Sequence, residues 1–274
     1  MMRAARLLLF VALAVSAAWA PTSRAGERRW DDETLKLFAA LPVQDEGRVK
    51  PLDTYARFKL LKLNGRRSFR DGDGRSGSAL AWLLDCLFFP EEAARYETFV
   101  VDNSDVIVAL GLPEKSRRDR YSYEELAPAR DRLYELAGQY GANQGTRSLL
   151  ENQVINLANN VHDFELLASY LDFARLKFDV GRDVFTDIFP GKTEVRFREV
   201  LAKAPELKEK FAALSKDSEK RKSDLDAVRR VMSEADAVRG MGTAIRIVPP
   251  PDPEQTEWAT PADIIELMIM GNVQ

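Results

Sequence analysis

The second half of the chain carries the pattern that most constrains its fold, an apolar residue recurring every three or four positions. Residues 150–171 keep this spacing without a break, and residues 207–232 repeat it with two polar interruptions, Ser218 and Arg221. Such spacing aligns an apolar stripe along one side of a helix. The pattern predicts two long helices that pack as an antiparallel hairpin within residues 143–243. The stripe of the first helix consists of Leu150, Val154, Leu157, Val161, Phe164, Ala168 and Leu171.

The other segments also favour helices, so the predicted fold class is mainly α with a few short strands. Residues 26–142 contain several short amphipathic patterns separated by glycine and proline, which predicts a compact N-terminal helical subdomain. Residues 244–274 read as a short strand, a Pro-rich connector and an apolar C-terminal helix. The charged run KDSEKRKSDLD at residues 216–226 is predicted to project into solvent.

The first 25 residues have the features of a secretory signal peptide. Arg3 and Arg6 precede a 14-residue, largely apolar region at positions 7–20, and small residues stand at the −3 and −1 positions of a cleavage site after Ala25. The alternative is an uncleaved membrane anchor, although spanning a bilayer takes roughly 20 apolar residues. We therefore expect an exported protein, located in the periplasm or on the outer face of the inner membrane.

The charge balance argues against a nucleic-acid-binding protein. The formal net charge is −3, and removal of a signal that contains three arginines makes it −6. A nucleic-acid-binding domain instead presents an excess of positive charge.

The sequence contains no recognisable catalytic or metal-binding pattern, so we predict that the protein is not an enzyme. It lacks a GxSxG motif, a P-loop and a CxxC pair. Cys86, the single cysteine, lies in an apolar run and is expected to be a core residue. His162, the single histidine, is either an axial haem ligand or a partly exposed helix residue beside an acidic neighbour.

A known family is suggested by residues 42–57, PVQDEGRVKPLDTYAR. This phrase resembles the N-terminal periplasmic region of the CcsA/ResC-type (System II) cytochrome c biogenesis proteins. Further similar segments are residues 81–84, 89–91, 101–103, 110–113 and 248–251, together with Trp258. The resemblance implies an accessory module that supports haem delivery or apocytochrome handling by an integral-membrane haem-handling partner, with haem reached through that partner.

The chain also departs from that family. It has no WWD segment, no series of membrane-spanning helices and one histidine, so the family's haem ligands have no matching residue here. A different interpretation is a helical cell-envelope scaffold or chaperone-like protein, which binds a partner through its charged hairpin.

Four charged residues of the family phrase are the candidate binding or docking residues, namely Arg48, Lys50, Asp53 and Arg57. In one interpretation they belong to a buried turn that locks two helices together, with Arg48 bonded to carbonyl groups or to Asp53. In the other they form a docking site for the membrane partner or for haem propionates, which suit the bidentate geometry of arginine.

Overall fold

The computed structural model describes residues 29–71, 74–115, 120–143, 145–216, 221–252 and 254–269. The signal-peptide prediction for residues 1–25 lies outside these ranges. The mainly α fold class is confirmed, and the strands form small antiparallel pairs, β1 with β2, β3 with β4, β5 with β6 and β7 with β8.

The elements up to residue 168 surround one hydrophobic core. They are α1 (Asp32–Ala39), β1 (Pro42–Asp45), β2 (Arg48–Pro51), α2 (Leu52–Asn64), β3 (Ser68–Arg70), β4 (Ser76–Ser78), α3 (Ala79–Phe88), α4 (Pro90–Ala93), β5 (Phe99–Val100), α5 (Ser104–Leu110), β6 (Arg120–Tyr121), α6 (Tyr123–Leu126), α7 (Arg130–Ala142) and α8 (Leu149–Ala168).

A second hydrophobic core is formed by later elements. They are α9 (Asp172–Arg175), β7 (Lys177–Asp179), β8 (Glu194–Arg196), α10 (Phe197–Ala202), α11 (Ala204–Ser215), α12 (Lys222–Ala237) and α13 (Pro261–Ile269). Residues 178–238 supply most of this core, and Ile265 of α13 completes it.

The predicted long hairpin within residues 143–243 is wrong in its pairing. Helix α8 packs against α7 and α3, and its stripe residues Val154, Val161 and Phe164 are buried in the first core. Tyr123 covers part of this stripe, since its ring stacks on the Phe164 ring with their centres 5.2 Å apart. The connection between α7 and α8 is short, and helices joined by a short connection usually pack side by side. The hairpin prediction compared only two apolar stripes and did not consider α7 or α3 as partners of α8.

The second predicted helix is also not continuous. Helix α11 ends at Ser215, just before the charged run, and α12 begins at Lys222, within the run; the two helices pack against each other in the second core. Residues 216, 221–223 and 226 of the run are exposed, as predicted, whereas Leu225 belongs to α12 and is buried, so the prediction for the run is only partly right. The boundary between the two cores therefore falls near residues 171–177 and not at residue 142.

Local sequence signals explain several helix starts. Ser148 accepts a hydrogen bond from the Glu151 amide, while Glu151 bonds back to the Ser148 amide, so α8 begins with a complete capping box. Ser122 and Glu125 form the same arrangement, but the helix that they start ends at Leu126 and a 3₁₀ turn separates it from α7. This capping box therefore starts a helix of a single turn, and α7 begins separately at Arg130.

The segment after α12 returns to the first core before α13 reaches the second. Ile245 is buried in the first core, and Tyr55 and Tyr170 donate hydrogen bonds to the carbonyl oxygens of Ala244 and Ile245. The strand predicted at residues 244–248 is reduced to two isolated bridges, Gln44 with Arg246 and Val248 with Ala259. This segment therefore connects the two halves of the molecule.

Two further expectations can be compared with the structure. Cys86 is fully buried on α3, as expected, and burial raises the pKa of its thiol. No helix in the part of the chain that the structure covers is both long and apolar enough to cross a bilayer.

Candidate docking surface

The family phrase folds into a tight hairpin followed by a helix. Strands β1 and β2 pair antiparallel from Pro42 opposite Pro51 to Asp45 opposite Arg48. Glu46 and Gly47 have φ values of 52° and 72°, so the two-residue turn is of the primed type that suits twisted hairpins. The turn residues are exposed, which contradicts the interpretation of this segment as a buried turn.

The charged residues of the phrase form two separate ion pairs. Lys50 Nζ lies 2.9 Å from Asp45 Oδ2, and Arg57 Nη2 lies 2.9 Å from Asp53 Oδ2 one turn earlier on α2. Arg48 is exposed, and no hydrogen bond or ion pair joins its guanidinium group to another residue within the described ranges. Bonding of Arg48 to Asp53 is therefore not found, and this cation stays accessible to an external anion.

Apolar side chains stand exposed beside these charges. Phe58 is 54% exposed and Val49 is 53% exposed, while Leu41 at the end of the preceding connection is 38% exposed. The Lys50 ammonium group lies 5.7 Å from the centre of the Phe58 ring, within range of a cation–π contact. The surface thus combines an accessible guanidinium group with exposed apolar area.

Gln44 joins this hairpin to the segment near the end of the described chain. Its side chain donates to the Thr256 carbonyl oxygen at 2.6 Å and accepts from the Trp258 amide at 2.8 Å. Its main-chain N–H donates to the Arg246 carbonyl oxygen at 2.9 Å. We call residues 41–58, together with residues 246–252 and 254–259, the hairpin surface.

His162 is not part of the hairpin surface. It is exposed on α8, and its neighbour Asp163 accepts a hydrogen bond from Lys62 at 2.8 Å. Lys62 is nine residues beyond Asp53 on α2, which is about 14 Å along a helix. The structure therefore separates His162 from the predicted docking residues.

Sequence reasoning missed two carboxylates, the buried Asp85 and the half-buried Glu165. Asp85 is 4% exposed and accepts hydrogen bonds from Trp30 Nε1 and the Tyr96 hydroxyl, both at 2.9 Å. Burial raises the pKa of Asp85, although these two hydrogen bonds and the Arg29 guanidinium group oppose that shift. The sequence sign of this site was a single acidic residue, Asp85, within the apolar run that forms α3.

The second carboxylate, Glu165 on α8, gathers three donors from the preceding elements. Tyr123, Arg130 and Tyr134 donate to its oxygens at distances between 2.5 and 2.9 Å. Burial alone would raise the pKa of Glu165, but these hydrogen bonds outweigh it and hold the pKa below the ordinary value of 4.5. Both clusters join elements of the first core through hydrogen bonds.

The search for relatives leaves the family open. No protein-family model matches the chain, and no curated protein or solved structure is significantly similar to it. Within the described ranges, no group of three or more His, Cys, Asp or Glu side chains is placed to hold a metal ion.

Replacing Gln44 with alanine is expected to loosen the hairpin surface. The change removes two hydrogen bonds that bridge residues more than 200 positions apart, which costs about 1–2 kcal/mol of unfolding free energy. Hydrogen exchange of peptides covering residues 244–260 should accelerate. Gln139→Ala, at an exposed site on α7, is the control and should change neither quantity. Unchanged exchange in the Gln44 variant would contradict the bridging role.

Proposed function

We propose that the protein is an exported accessory module of cytochrome c biogenesis, which supports haem delivery or apocytochrome handling by a membrane haem-handling partner. One observation carries the proposal. Two parts of the chain that resemble the CcsA/ResC-type proteins, residues 42–57 and Trp258, meet where the Trp258 amide donates a hydrogen bond to the Gln44 side chain. Neither part contains a catalytic motif, so we assign both of them to one contact surface.

The hairpin surface supports a docking role for this module. An integral-membrane partner presents carboxylate or phosphate groups near its exposed loops, and haem itself carries two propionates. Arg48 can pair with such a group without first breaking an internal ion pair of the described residues, whereas Lys50 and Arg57 are already paired. The exposed side chains of Val49 and Phe58 add apolar area that a partner would bury.

His162 contributes less to this proposal than the hairpin surface does. It is exposed on another part of the first core, and no second histidine exists to complete a two-ligand haem site. We therefore place haem on the partner. The alternative scaffold function relied on a hairpin between the two predicted stripes, which lie in separate cores, while α11 and α12 pack against each other instead.

Deletion of the gene, followed by staining of membrane and periplasmic fractions for covalent haem, tests the proposal. We expect the deletion strain to lose most of its c-type cytochromes, and the wild-type gene to restore them. A gene carrying Arg48→Glu should restore little, because the new charge repels the proposed anionic contact. Lys208→Glu, an exposed charge reversal on α11, is the matched control and should restore normal levels. Normal covalent haem in the deletion strain would disprove the proposed function.

A further inference from the structure

A groove lined by side-chain amides lies between α8 and the segment that runs from β5 to the start of α5. Its volume is about 180 Å³. The floor is apolar, since Val101, Val106 and Leu157 are all buried. The walls carry four amides, Asn103, Gln153, Asn156 and Asn160, and the exposed carboxylate of Asp102. None of these amides belongs to the hairpin surface, so the groove is a separate feature of the first core.

One side of the groove is held in place by hydrogen bonds. Asn103 Nδ2 donates to Gln153 Oε1 at 2.6 Å, and Asn103 Oδ1 accepts from the Asp105 amide at 2.9 Å. Asn103 is thereby fixed, while the amino group of Gln153 keeps its donors. This pair forms a wall of defined orientation before any ligand arrives.

The other side of the groove carries amides that are available for bonding. The side chains of Asn156 and Asn160 make no hydrogen bond to any residue in the described ranges. They are four residues apart on α8, which is about 6 Å along the helix. An extended chain repeats its outward-facing peptide groups every two residues, or about 6.6 Å. The spacing of these two amides therefore nearly matches the repeat of an extended main chain.

The chemistry of the lining excludes several other ligand classes. The volume of about 180 Å³ is below the roughly 300–1,000 Å³ that is typical of small-molecule and cofactor sites. No lysine or arginine lines the groove, and its one charged lining residue is Asp102, so the groove disfavours a phosphate or a propionate and accepts a neutral or basic segment. No aromatic ring lines it either, and it lacks a face on which a sugar ring could stack.

We propose that this amide groove binds an extended polypeptide segment. Gln153, Asn156 and Asn160 bond to its main-chain N–H and C=O groups, because each amide offers both a donor and an acceptor. One small apolar side chain of the segment rests on Val101, Val106 and Leu157. This inference does not depend on the proposed function, because it rests on the groove alone. If both hold, an unfolded apocytochrome segment is a ligand of the groove.

Binding to the full mature protein can be measured by fluorescence anisotropy with a labelled dodecapeptide that repeats Ser-Ala-Thr-Val. The matched ligand is the same peptide with every second main-chain nitrogen methylated, which retains the side chains and removes half of the N–H donors. We expect methylation to weaken binding about tenfold. The double variant Asn156→Ala/Asn160→Ala should weaken binding of the unmodified peptide by a similar factor. Loss of one hydrogen bond weakens binding about threefold, and the two losses multiply.

Asn159→Ala is the control variant, since Asn159 is exposed on the same helix and does not line the groove. It should bind the unmodified peptide as wild type does. Equal binding of the methylated and unmodified peptides by wild type would overturn the proposal whether or not the variants fold. The proposal would also be overturned if the unmodified peptide failed to bind, or if the sugar maltotriose displaced it. Loss of peptide binding and loss of covalent haem in the deletion strain are separate results, so the two proposals can fail independently.

Discussion

Replacing Asp85 with alanine is expected to lower the free energy of unfolding by about 3–4 kcal/mol. The change leaves the Trp30 N–H and the Tyr96 hydroxyl without their acceptor, and an unsatisfied buried polar group costs about 1–3 kcal/mol. Removal of the carboxylate also opens a small cavity in a well-packed helix interface. Chemical denaturation, followed by tryptophan fluorescence, measures the loss.

Asparagine is the matched variant at this position. Its oxygen can accept from Trp30 and its amino group can donate to the Tyr96 oxygen, so both bonds survive with one direction reversed. We expect Asp85→Asn to cost about 1 kcal/mol or less, because it also removes a buried charge. If the alanine and asparagine variants were equally stable, the hydrogen bonds of Asp85 would not be what holds Trp30 and Tyr96.

The difference in stability between the wild-type protein and Asp85→Asn should depend on pH, because the pKa of Asp85 is raised in the folded state. Because the pKa is raised in the folded state, the folded protein binds the proton more tightly than the unfolded chain with its ordinary value of 3.8. The wild-type protein therefore loses stability from this group as pH rises above 3.8 and through the folded pKa. Asp85→Asn has no carboxyl group to titrate at this position. Its stability relative to wild type should therefore increase as pH rises from 3.8 through the folded pKa of Asp85.

Replacing Glu165 with alanine is expected to lower the free energy of unfolding by about 3 kcal/mol. Glu165 accepts hydrogen bonds from Tyr123, Arg130 and Tyr134, which join α8 to the elements before it. Hydrogen bonds to a charged group contribute about 1.5–3 kcal/mol, and partial exposure of the cluster reduces their sum. Glu135→Ala is the control, since Glu135 makes an exposed pair with Arg132 on one helix and should cost less than about 1 kcal/mol.

The pH dependence of Glu165 has the opposite sign to that of Asp85. Its pKa is lowered in the folded state, so the stabilisation is present above the ordinary value of 4.5 and is lost as pH falls through the folded pKa. Glu165→Gln should therefore unfold with a weaker dependence on pH below 4.5 than wild type, measured by urea midpoints between pH 5 and pH 3. An unchanged dependence would show that other carboxylates control acid unfolding.

Periodicity predicted individual helices well where an apolar stripe was regular. Most of the stripe at residues 150–171 lies in α8, which ends at Ala168, and the apolar C-terminal helix predicted within residues 244–274 corresponds to α13. The pairing of helices was not predictable in the same way. A stripe shows that one side of a helix is buried, but many apolar partners satisfy it equally well. Burial of Phe164 against Phe99 and Tyr123 depended on residues outside the predicted hairpin.

The candidate sites were predictable only in part. The charged residues of the hairpin surface could be named from the family phrase, and Gly47 indicated its turn. The amides of the groove went unnoticed because they lie beside the apolar stripe of α8 and carry no motif. Asp85 and Glu165 look like ordinary helix acids until their donors, 11 to 55 positions away, are known.

The sequence by itself determined the helix-rich class, the burial of Cys86 and the exposure of residues 216 and 221–223 in the charged run, because each depends on neighbours within a few turns of the chain. Only the tertiary structure decided that α8 joins the first core, that Gln44 ties the family phrase to Trp258, and that four amides face one groove. These features depend on contacts between residues that are tens to hundreds of positions apart. Local hydrophobic spacing contains no information about which distant donor or apolar side a residue will meet.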